Sequence, residues 1–126
     1  MDFIYTGIRV KDLNRSIEFY TKTMGMKEVG RGKMEAGGVW VELKSRGSEH
    51  PLELNYYPPG SKFCEKYVEG SELDHLAFAS DDVRKSYRKA LAGGATSAVE
   101  PLDEGGSTLA FVRDPNGVWI ELHSRT

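Results

Sequence analysis

The sequence has little of the material that several classes of protein need. Cys64 is the only cysteine among 126 residues, so neither a disulfide within the chain nor a zinc cluster of thiolates can form. No apolar run approaches the roughly 20 residues that span a bilayer. The start, MDFIYTGIRV, lacks the basic segment and apolar core of an export signal. We therefore expect a cytoplasmic protein that does not enter a membrane.

The chain also lacks an excess of charge of either sign. Its 17 Lys and Arg nearly balance 19 Asp and Glu, and the basic residues are interspersed with acidic ones. Proteins that bind nucleic acids or anionic membranes need a basic patch or stripe, so neither partner is expected. Hydrophobic residues make up 39% of the chain, which is enough for the core of one domain.

Two similar segments recur at an offset of 70 residues, from 4 to 74. The first, IYTGIRVKDLNRSIEFY, begins at Ile4, and the second, DHLAFASDDVRKSYRKA, begins at Asp74. Each contains a short apolar strand and then an aspartate, Asp12 or Asp82, that can cap the first turn of a helix. An amphipathic helix that ends near glycine follows. The sequence is therefore predicted to be duplicated.

Each half is predicted to be a βαβββ module, because three strand-like runs follow each helix. These runs are Lys27–Met34, Val39–Lys44 and Leu52–Tyr57, then Thr96–Glu100, Thr108–Val112 and Val118–His123. We place module 1 at about 1–57, a linker with one helical turn at about 58–71, and module 2 at about 72–126. The predicted fold class is α+β, with the two tandem modules forming a cupped, barrel-like mixed sheet whose concave face holds the site.

Polar side chains occupy equivalent positions in the two halves. Glu53 and Glu121 lie on the last strands, each between aliphatic residues, while Tyr5 and His75 lie on the first strands. Side chains alternate faces along a strand, so aliphatic neighbours that pack on the helices leave the glutamates on the other face. Two carboxylates and an imidazole that converge there suit one divalent metal ion, such as Zn, Ni, Co, Mn or Fe.

A second carboxylate competes with Glu53 for this role. The segment VWVEL around Glu42 resembles VWIEL around Glu121 at least as closely as PLEL around Glu53 does. Strand order favours Glu53, because it lies on the last strand of its half, as Glu121 does. The two are 68 residues apart, from 53 to 121, which nearly matches the offset of the helices.

Three segments carry a resemblance to a known family: the opening YTGIRVKDLNRSIEFYTKTMGMK, the second-half DHLAF, and the ending AFVRDPNGVWIEL. They resemble the glyoxalase, bleomycin-resistance and dioxygenase superfamily, called vicinal oxygen chelate. Within it, the opening and closing motifs most resemble those of bacterial-type lactoylglutathione lyases. Such lyases hold their metal with one residue from the first and one from the last strand of each half. Those positions fall on Tyr5, Glu53, His75 and Glu121.

Tyr5 departs from the pattern of these lyases, which usually have His or Gln at this position. A phenol has a pKa of about 10 and must lose its proton to bind a divalent ion well. Tyr5 therefore stands aside while water completes the shell, binds as phenolate to a more acidic metal such as ferric iron, or marks a relative with changed chemistry. We favour the first interpretation.

The resemblance implies an enzyme that isomerises the hemithioacetal of methylglyoxal and a thiol through an enediolate. Glu121 is the expected base, and Glu53 is the second catalytic candidate. The candidates for substrate binding are Arg9, which can pair with an anionic group, and the aromatic residues Tyr57 and Trp119. Acidic residues stand where related lyases carry basic residues for glutathione, in the segment LDEGG at 102–106, so the thiol is left open.

Other activities suit the same residues. An epimerase of an acyl-CoA or a 2-oxo compound would use two glutamates on opposite sides of one carbon. A metal-free drug-binding protein of the bleomycin-resistance type would use aromatic residues in the same concave face. A ring-cleaving dioxygenase is disfavoured, because it needs two histidines and one carboxylate. We expect a homodimer, since one half of a site can be completed by the partner chain.

Overall fold

The computed structural model describes residues 1–61, 66–115 and 117–125. Its helices and strands are β1 Asp2–Arg9, α1 Leu13–Glu18, β2 Lys27–Lys33, β3 Val39–Lys44, β4 Leu52–Tyr56, β5 Leu73–Ser80, α2 Val83–Ala92, β6 Thr96–Glu104, β7 Ser107–Arg113 and β8 Trp119–Ser124. The order βαβββ occurs twice, so the predicted α+β class and the tandem modules are confirmed. Cys64 and its neighbours at 62–65, in the predicted linker, lie outside the described residues.

Aspartate caps begin both helices, as predicted. The Oδ1 atom of Asp12 accepts a hydrogen bond from the backbone N–H of Arg15 at 3.1 Å. Asp82 accepts the equivalent bond from Lys85 at 3.0 Å. Each bond satisfies an N–H group that the first turn of a helix leaves without a partner inside the helix. After α1 a π-helical turn leads to Gly25, whose φ of +77° favours glycine.

The cap of α2 provides a test of this local assignment. Replacing Asp82 by alanine removes the acceptor for the N–H of Lys85, so we expect the free energy of unfolding to fall by about 1 kcal/mol. Asp82→Asn keeps an acceptor oxygen and is the matched control. Urea unfolding of both variants checks the expectation, and equal stability of the two would contradict it.

The chain divides into two compact units, one from Thr6 to Asp74 and one formed by Met1–Tyr5 with His75–Thr126. In the first, the strand order is β2-β3-β4-β1, with β1 and β4 parallel and the other pairs antiparallel. In the second, the order is β6-β7-β8-β5, with β5 and β8 parallel and the other pairs antiparallel. The same order and directions thus occur in both, as duplication predicts.

Strand register makes the two glutamates equivalent. Glu53 of β4 pairs with Gly7 of β1, and Glu121 of β8 pairs with Ala77 of β5. Gly7 and Ala77 are 70 residues apart, from 7 to 77, which is the offset of the duplication. Each glutamate therefore lies beside the same position of the first strand of its module.

Each unit has its own hydrophobic core between helix and sheet. Val41, Leu43 and Leu54 are fully buried in the first unit, where residues of α1 pack against them. In the second unit, Val83 and Tyr87 of α2 pack with the buried residues Ala110, Val112 and Leu122. Since Leu54 and Leu122 directly follow Glu53 and Glu121, the aliphatic neighbours face the helices and the carboxylates face the opposite side of each sheet.

Strand β6 is longer than the predicted run of Thr96 to Glu100, because it continues through Pro101 to Glu104. Proline has no N–H to donate, so it is tolerated mainly at a sheet edge or a bulge. Both conditions hold here: β6 ends the strand order, and its register with β7 shifts between Val99 and Leu102. Among the described residues, no helix is long and apolar enough to cross a membrane.

Trp40 of β3 lies flat over the backbone of β2. A Cβ atom added to Gly32 would come within 2.6 Å of the Trp40 ring, closer than real Cβ contacts. We expect Gly32→Ala to push the indole aside and to lower the free energy of unfolding by about 1–3 kcal/mol. Gly47→Ala is the matched control, since nothing lies within 4 Å of its added Cβ. Urea unfolding with tryptophan fluorescence measures both, and equal stabilities would contradict the expectation.

Candidate active site

Three polar side chains of the second unit meet at one point. The Tyr5 hydroxyl lies 2.6 Å from Nε2 of His75 and donates a hydrogen bond to Oε2 of Glu121. Nε2 of His75 and Oε2 of Glu121 are 3.4 Å apart. The structure thus brings together three of the four positions at which the sequence predicts metal ligands.

The strands explain why these side chains converge. His75 lies on β5 and Glu121 on its parallel neighbour β8, with only 4% and 7% of each residue exposed. The Tyr5 ring meets the His75 ring edge to face, with centroids 5.1 Å apart. Phe111, the cross-strand partner of Glu121, also packs on the imidazole, with ring centroids 5.8 Å apart. Aromatic rings therefore fix the imidazole and shield the carboxylate from water.

The carboxyl group of Glu121 is ionised in this environment. Burial raises the pKa of its carboxyl, but hydrogen bonding to His75, attraction to His75 and the hydrogen bond from Tyr5 lower it by more. The net pKa lies below the usual value for glutamate. At neutral pH the group is thus a buried carboxylate, which is able both to bind a cation and to accept a proton.

Tyr5 makes contacts that the sequence did not lead us to expect. Its hydroxyl bonds to both His75 and Glu121, while the expectation that it does not bind the metal stays a prediction. From the sequence, we considered Tyr5 as a metal ligand or as a bystander. That interpretation overlooked that a tyrosine side chain is long enough to reach polar groups of neighbouring strands as an ordinary hydrogen-bonding partner.

The spacing of the two donor atoms fits a metal ion. Bonds of about 2.0–2.2 Å to nitrogen and oxygen in a tetrahedral shell keep two ligand atoms about 3.3–3.6 Å apart. The observed 3.4 Å between Nε2 of His75 and Oε2 of Glu121 falls in this range. Among the described residues, no group of three or more His, Cys, Asp or Glu side chains is placed so that it could hold a metal ion.

Glu53 lies in the first unit, on β4, and its place in the metal shell stays a prediction. It is half-buried, and its cross-strand partner is Glu42 of β3, the carboxylate that competed with it in the sequence argument. Directly opposed residues of an antiparallel pair lie on the same face of the sheet. Both carboxylates therefore share a face, and only Glu53 has the register of Glu121.

The predicted substrate-binding residues Arg9 and Tyr57 meet at a third side chain, Asp74. Tyr57 donates a hydrogen bond to Asp74 at 2.8 Å, and Nε of Arg9 lies 3.9 Å from the same carboxylate. Arg9 also donates to the backbone carbonyl of Ser71 at 2.6 Å. Burial, Asp74 and Glu53 hold the pKa of Tyr57 far above its usual value, so its phenol stays neutral.

Trp119, the third predicted substrate-binding residue, lies beside the ring of Phe111, with centroids 5.6 Å apart. The guanidinium of Arg113 stacks over Trp119 at 5.1 Å and donates to the carbonyl of Ser97 at 2.6 Å. These contacts form an aromatic surface with one cation beside His75 and Glu121.

Sequence reasoning missed Phe111, Arg113 and Asp74. A signal for the first two was present, because both alternate with Ala110 and Val112, which point toward the helix. The role of Asp74 had no such signal. Its contacts with Arg9 and Tyr57 depend on the folding of distant segments.

Known proteins are similar to this chain along nearly its whole length. The sequence model of the Glyoxalase/Bleomycin resistance protein/Dioxygenase superfamily matches residues 3–122. The chain is 32% identical to the lactoylglutathione lyase of Escherichia coli O157:H7, over 97% of this chain and 91% of that protein. It is also 32% identical to a lactoylglutathione lyase of Arabidopsis thaliana, over 98% of this chain but only 44% of the longer plant protein.

Solved structures share the fold. Methylmalonyl-CoA epimerase from Mycobacterium tuberculosis superposes with a TM-score of 0.79 at 26% identity, over 99% of this chain and 88% of that one. A hypothetical protein from Bacillus halodurans C-125 has the same TM-score at 21% identity, over 99% and 94% of the two chains. The predicted fold type is therefore confirmed along the whole chain.

Proposed function

Because the chain belongs to the Glyoxalase/Bleomycin resistance protein/Dioxygenase superfamily, we propose that it is a metal-dependent lyase of the lactoylglutathione lyase type. Its substrate is the hemithioacetal of methylglyoxal and a thiol. The observation that carries the proposal is the buried, ionised carboxylate of Glu121 in contact with His75. Two relatives named lactoylglutathione lyase, each 32% identical to this chain, support this reaction.

His75 and Glu121 are the proposed metal ligands, and Glu53 joins them because its strand register is that of Glu121. One divalent ion, Ni, Co, Zn, Mn or Fe, suits this mixture of imidazole and carboxylate. When bound, such an ion stabilises negative charge that develops on the two vicinal oxygens of the substrate.

Glu121 is the proposed base. Its carboxylate takes the proton from the carbon that bears the hydroxyl and the sulfur, and the electron pair of that C–H bond forms the enediolate. Return of the proton to the neighbouring carbon gives the thioester of a 2-hydroxy acid, so atoms and electrons balance without an oxidant. Glu53 is the second candidate for either transfer, because duplication gives it the equivalent place in its module.

The aromatic surface beside the site is the proposed binding place of the substrate. Phe111 and Trp119 cover apolar parts of it, and Arg113 supplies a positive charge at the edge. Arg9 and Tyr57 are proposed to contact the substrate from the first unit, where Asp74 orients both. The thiol is left open, because the segment LDEGG at 102–106 has acidic residues where related lyases carry basic residues for glutathione.

An acyl-CoA epimerase is the second candidate function. The similarity to the methylmalonyl-CoA epimerase of M. tuberculosis, at 26% identity over nearly the whole chain, favours it. Both reactions begin with removal of a proton from a carbon next to a carbonyl group. They differ in the acceptor: a lyase of this type returns the proton to the neighbouring carbon, whereas an epimerase returns it to the opposite face of the same carbon.

A parallel assay separates the two functions. The protein, supplied with each candidate metal in turn, is given methylglyoxal with glutathione or other small thiols, and thioester formation is followed by ultraviolet absorbance. In separate samples, methylmalonyl-CoA in deuterated water is followed by NMR for deuterium at its α-carbon. The proposal expects thioester formation with at least one thiol. Deuterium uptake without thioester formation would replace it with the epimerase function, and neither signal would contradict both.

We further propose that the protein is a homodimer and is located in the cytoplasm. A homodimer in which each chain contributes one module to a site fits the duplicated fold. A cytoplasmic location fits a chain with a single cysteine. Light scattering after size-exclusion chromatography tests the first point, since a mass of about one chain, 14.1 kDa, would contradict it.

A further inference from the structure

The Tyr5 hydroxyl lies at the point that two proposed metal ligands share. We infer that it takes the place between Nε2 of His75 and Oε2 of Glu121 that a divalent ion would occupy, so that an ion enters only by displacing it. This inference rests on the proposed function, because it takes His75 and Glu121 as the ligands. It assigns Tyr5 the role of a built-in competitor of the metal.

The Tyr5 hydroxyl lies on the same two atoms that would bind the ion. An ion held by Nε2 of His75 and Oε2 of Glu121 lies about 2.0–2.2 Å from each atom. The Tyr5 hydroxyl already occupies hydrogen-bonding positions on both, at 2.6 Å from Nε2. Nε2 of an imidazole has a single in-plane site, taken either by a proton or by a lone pair. Hence this nitrogen cannot bond to Tyr5 and to an ion at the same time.

The two hydrogen bonds of Tyr5 also place a proton on the metal-binding nitrogen of His75. The Tyr5 hydroxyl has one proton, which it donates to the carboxylate of Glu121, because an ionised carboxylate only accepts. The contact with His75 then has the imidazole as donor, from Nε2–H to the phenol oxygen. In this state Nε2 carries a proton where an ion would need a lone pair. Binding therefore requires Nε2 to give up this proton, as well as the loss of two hydrogen bonds.

Removing the Tyr5 hydroxyl distinguishes this role from that of a metal ligand, because the two roles predict opposite changes in metal affinity. If Tyr5 binds the ion as phenolate, removing its hydroxyl weakens binding. If Tyr5 takes the place of the ion, removing the hydroxyl strengthens binding. Tyr5→Phe suits this test, because it keeps the ring that packs edge to face on His75 at 5.1 Å and removes the oxygen alone.

Calorimetric titration of chelator-treated protein with Zn, Ni or Co tests the inference. We expect Tyr5→Phe to lower the Kd by about ten- to a hundredfold, the worth of one charge-assisted hydrogen bond in a buried site. Tyr87→Phe is the matched control. It removes a hydroxyl of the same unit that bonds to Ser97 at 2.6 Å, on the helix face of the sheet, and we expect its Kd to equal that of the wild type.

Equal or weaker binding by Tyr5→Phe, with binding by the wild type, would overturn this inference and leave the proposed function standing. No binding by either protein would overturn both. If Tyr5→Phe does not fold, the wild type provides a second test. We expect nitrogen NMR to find His75 protonated at Nε2 without metal, and metal addition to produce no tyrosinate band in the ultraviolet spectrum. Appearance of that band would make Tyr5 a ligand and overturn the inference.

Discussion

Replacing Glu121 by glutamine is expected to lower kcat for the hemithioacetal by about a hundred- to ten-thousandfold, the usual contribution of a general base. Glutamine keeps the volume of the side chain and an oxygen that accepts the bond from Tyr5. It cannot accept the substrate proton, however, and its affinity for a cation is low. Initial rates at saturating substrate, with a large excess of metal, measure the loss.

Glu100→Gln is the control for this variant. Glu100 is exposed on β6, so its loss of charge is expected to leave kcat within about twofold of the wild type. If Glu121→Gln keeps more than a tenth of the wild-type kcat, Glu121 is not the base. The same measurement on Glu53→Gln would then decide whether the second carboxylate takes that role.

Replacing Leu54 by alanine is expected to cost about 3 kcal/mol of the free energy of unfolding. Leu54 is fully buried on β4, where it pairs with Val41 of β3 and Ile8 of β1. Truncation leaves a cavity between the sheet and α1 that β3 cannot close, because pairing with β2 and β4 fixes β3 on both sides. Urea unfolding, with midpoint and slope fitted together, gives the loss.

Leu73→Ala is the matched control, because the Leu73 side chain is 44% exposed at the start of β5. We expect it to cost less than about 1 kcal/mol. Similar losses for the two variants would mean that the buried cluster of the first unit does not dominate its stability. A variant of Leu54 without structure would have to be compared at reduced temperature.

Much of the fold was predictable because the sequence features that repeat in the two halves act locally. The capping aspartates Asp12 and Asp82, the helical periodicity after them and the alternation of strand residues all act within a few residues of chain. These features predicted the two modules and both helices. The length of β6 was not predictable in this way, because proline is tolerated there only as a consequence of the edge position of the strand.

The proximity of two candidate site residues follows from strand alternation and duplication. His75 and Glu121 lie in contact, since parallel neighbours with matched register put them on one face. The place of the Tyr5 hydroxyl was not predictable, because it depends on the direction of one long side chain. The bond from Tyr57 to Asp74 likewise depends on the packing of segments that are 17 residues apart in sequence.

We propose that Glu53, His75 and Glu121 together hold one divalent ion, and equilibrium dialysis tests this proposal most directly. Metal-free wild type and the variants Glu53→Gln, His75→Ala and Glu121→Gln are dialysed against Zn, Ni, Co or Mn, and bound metal is counted by mass spectrometry. The account predicts saturation near one ion per chain for the wild type and loss of saturable binding in each variant. Absence of saturable binding in the wild type, or full binding by any of the three variants, would contradict it.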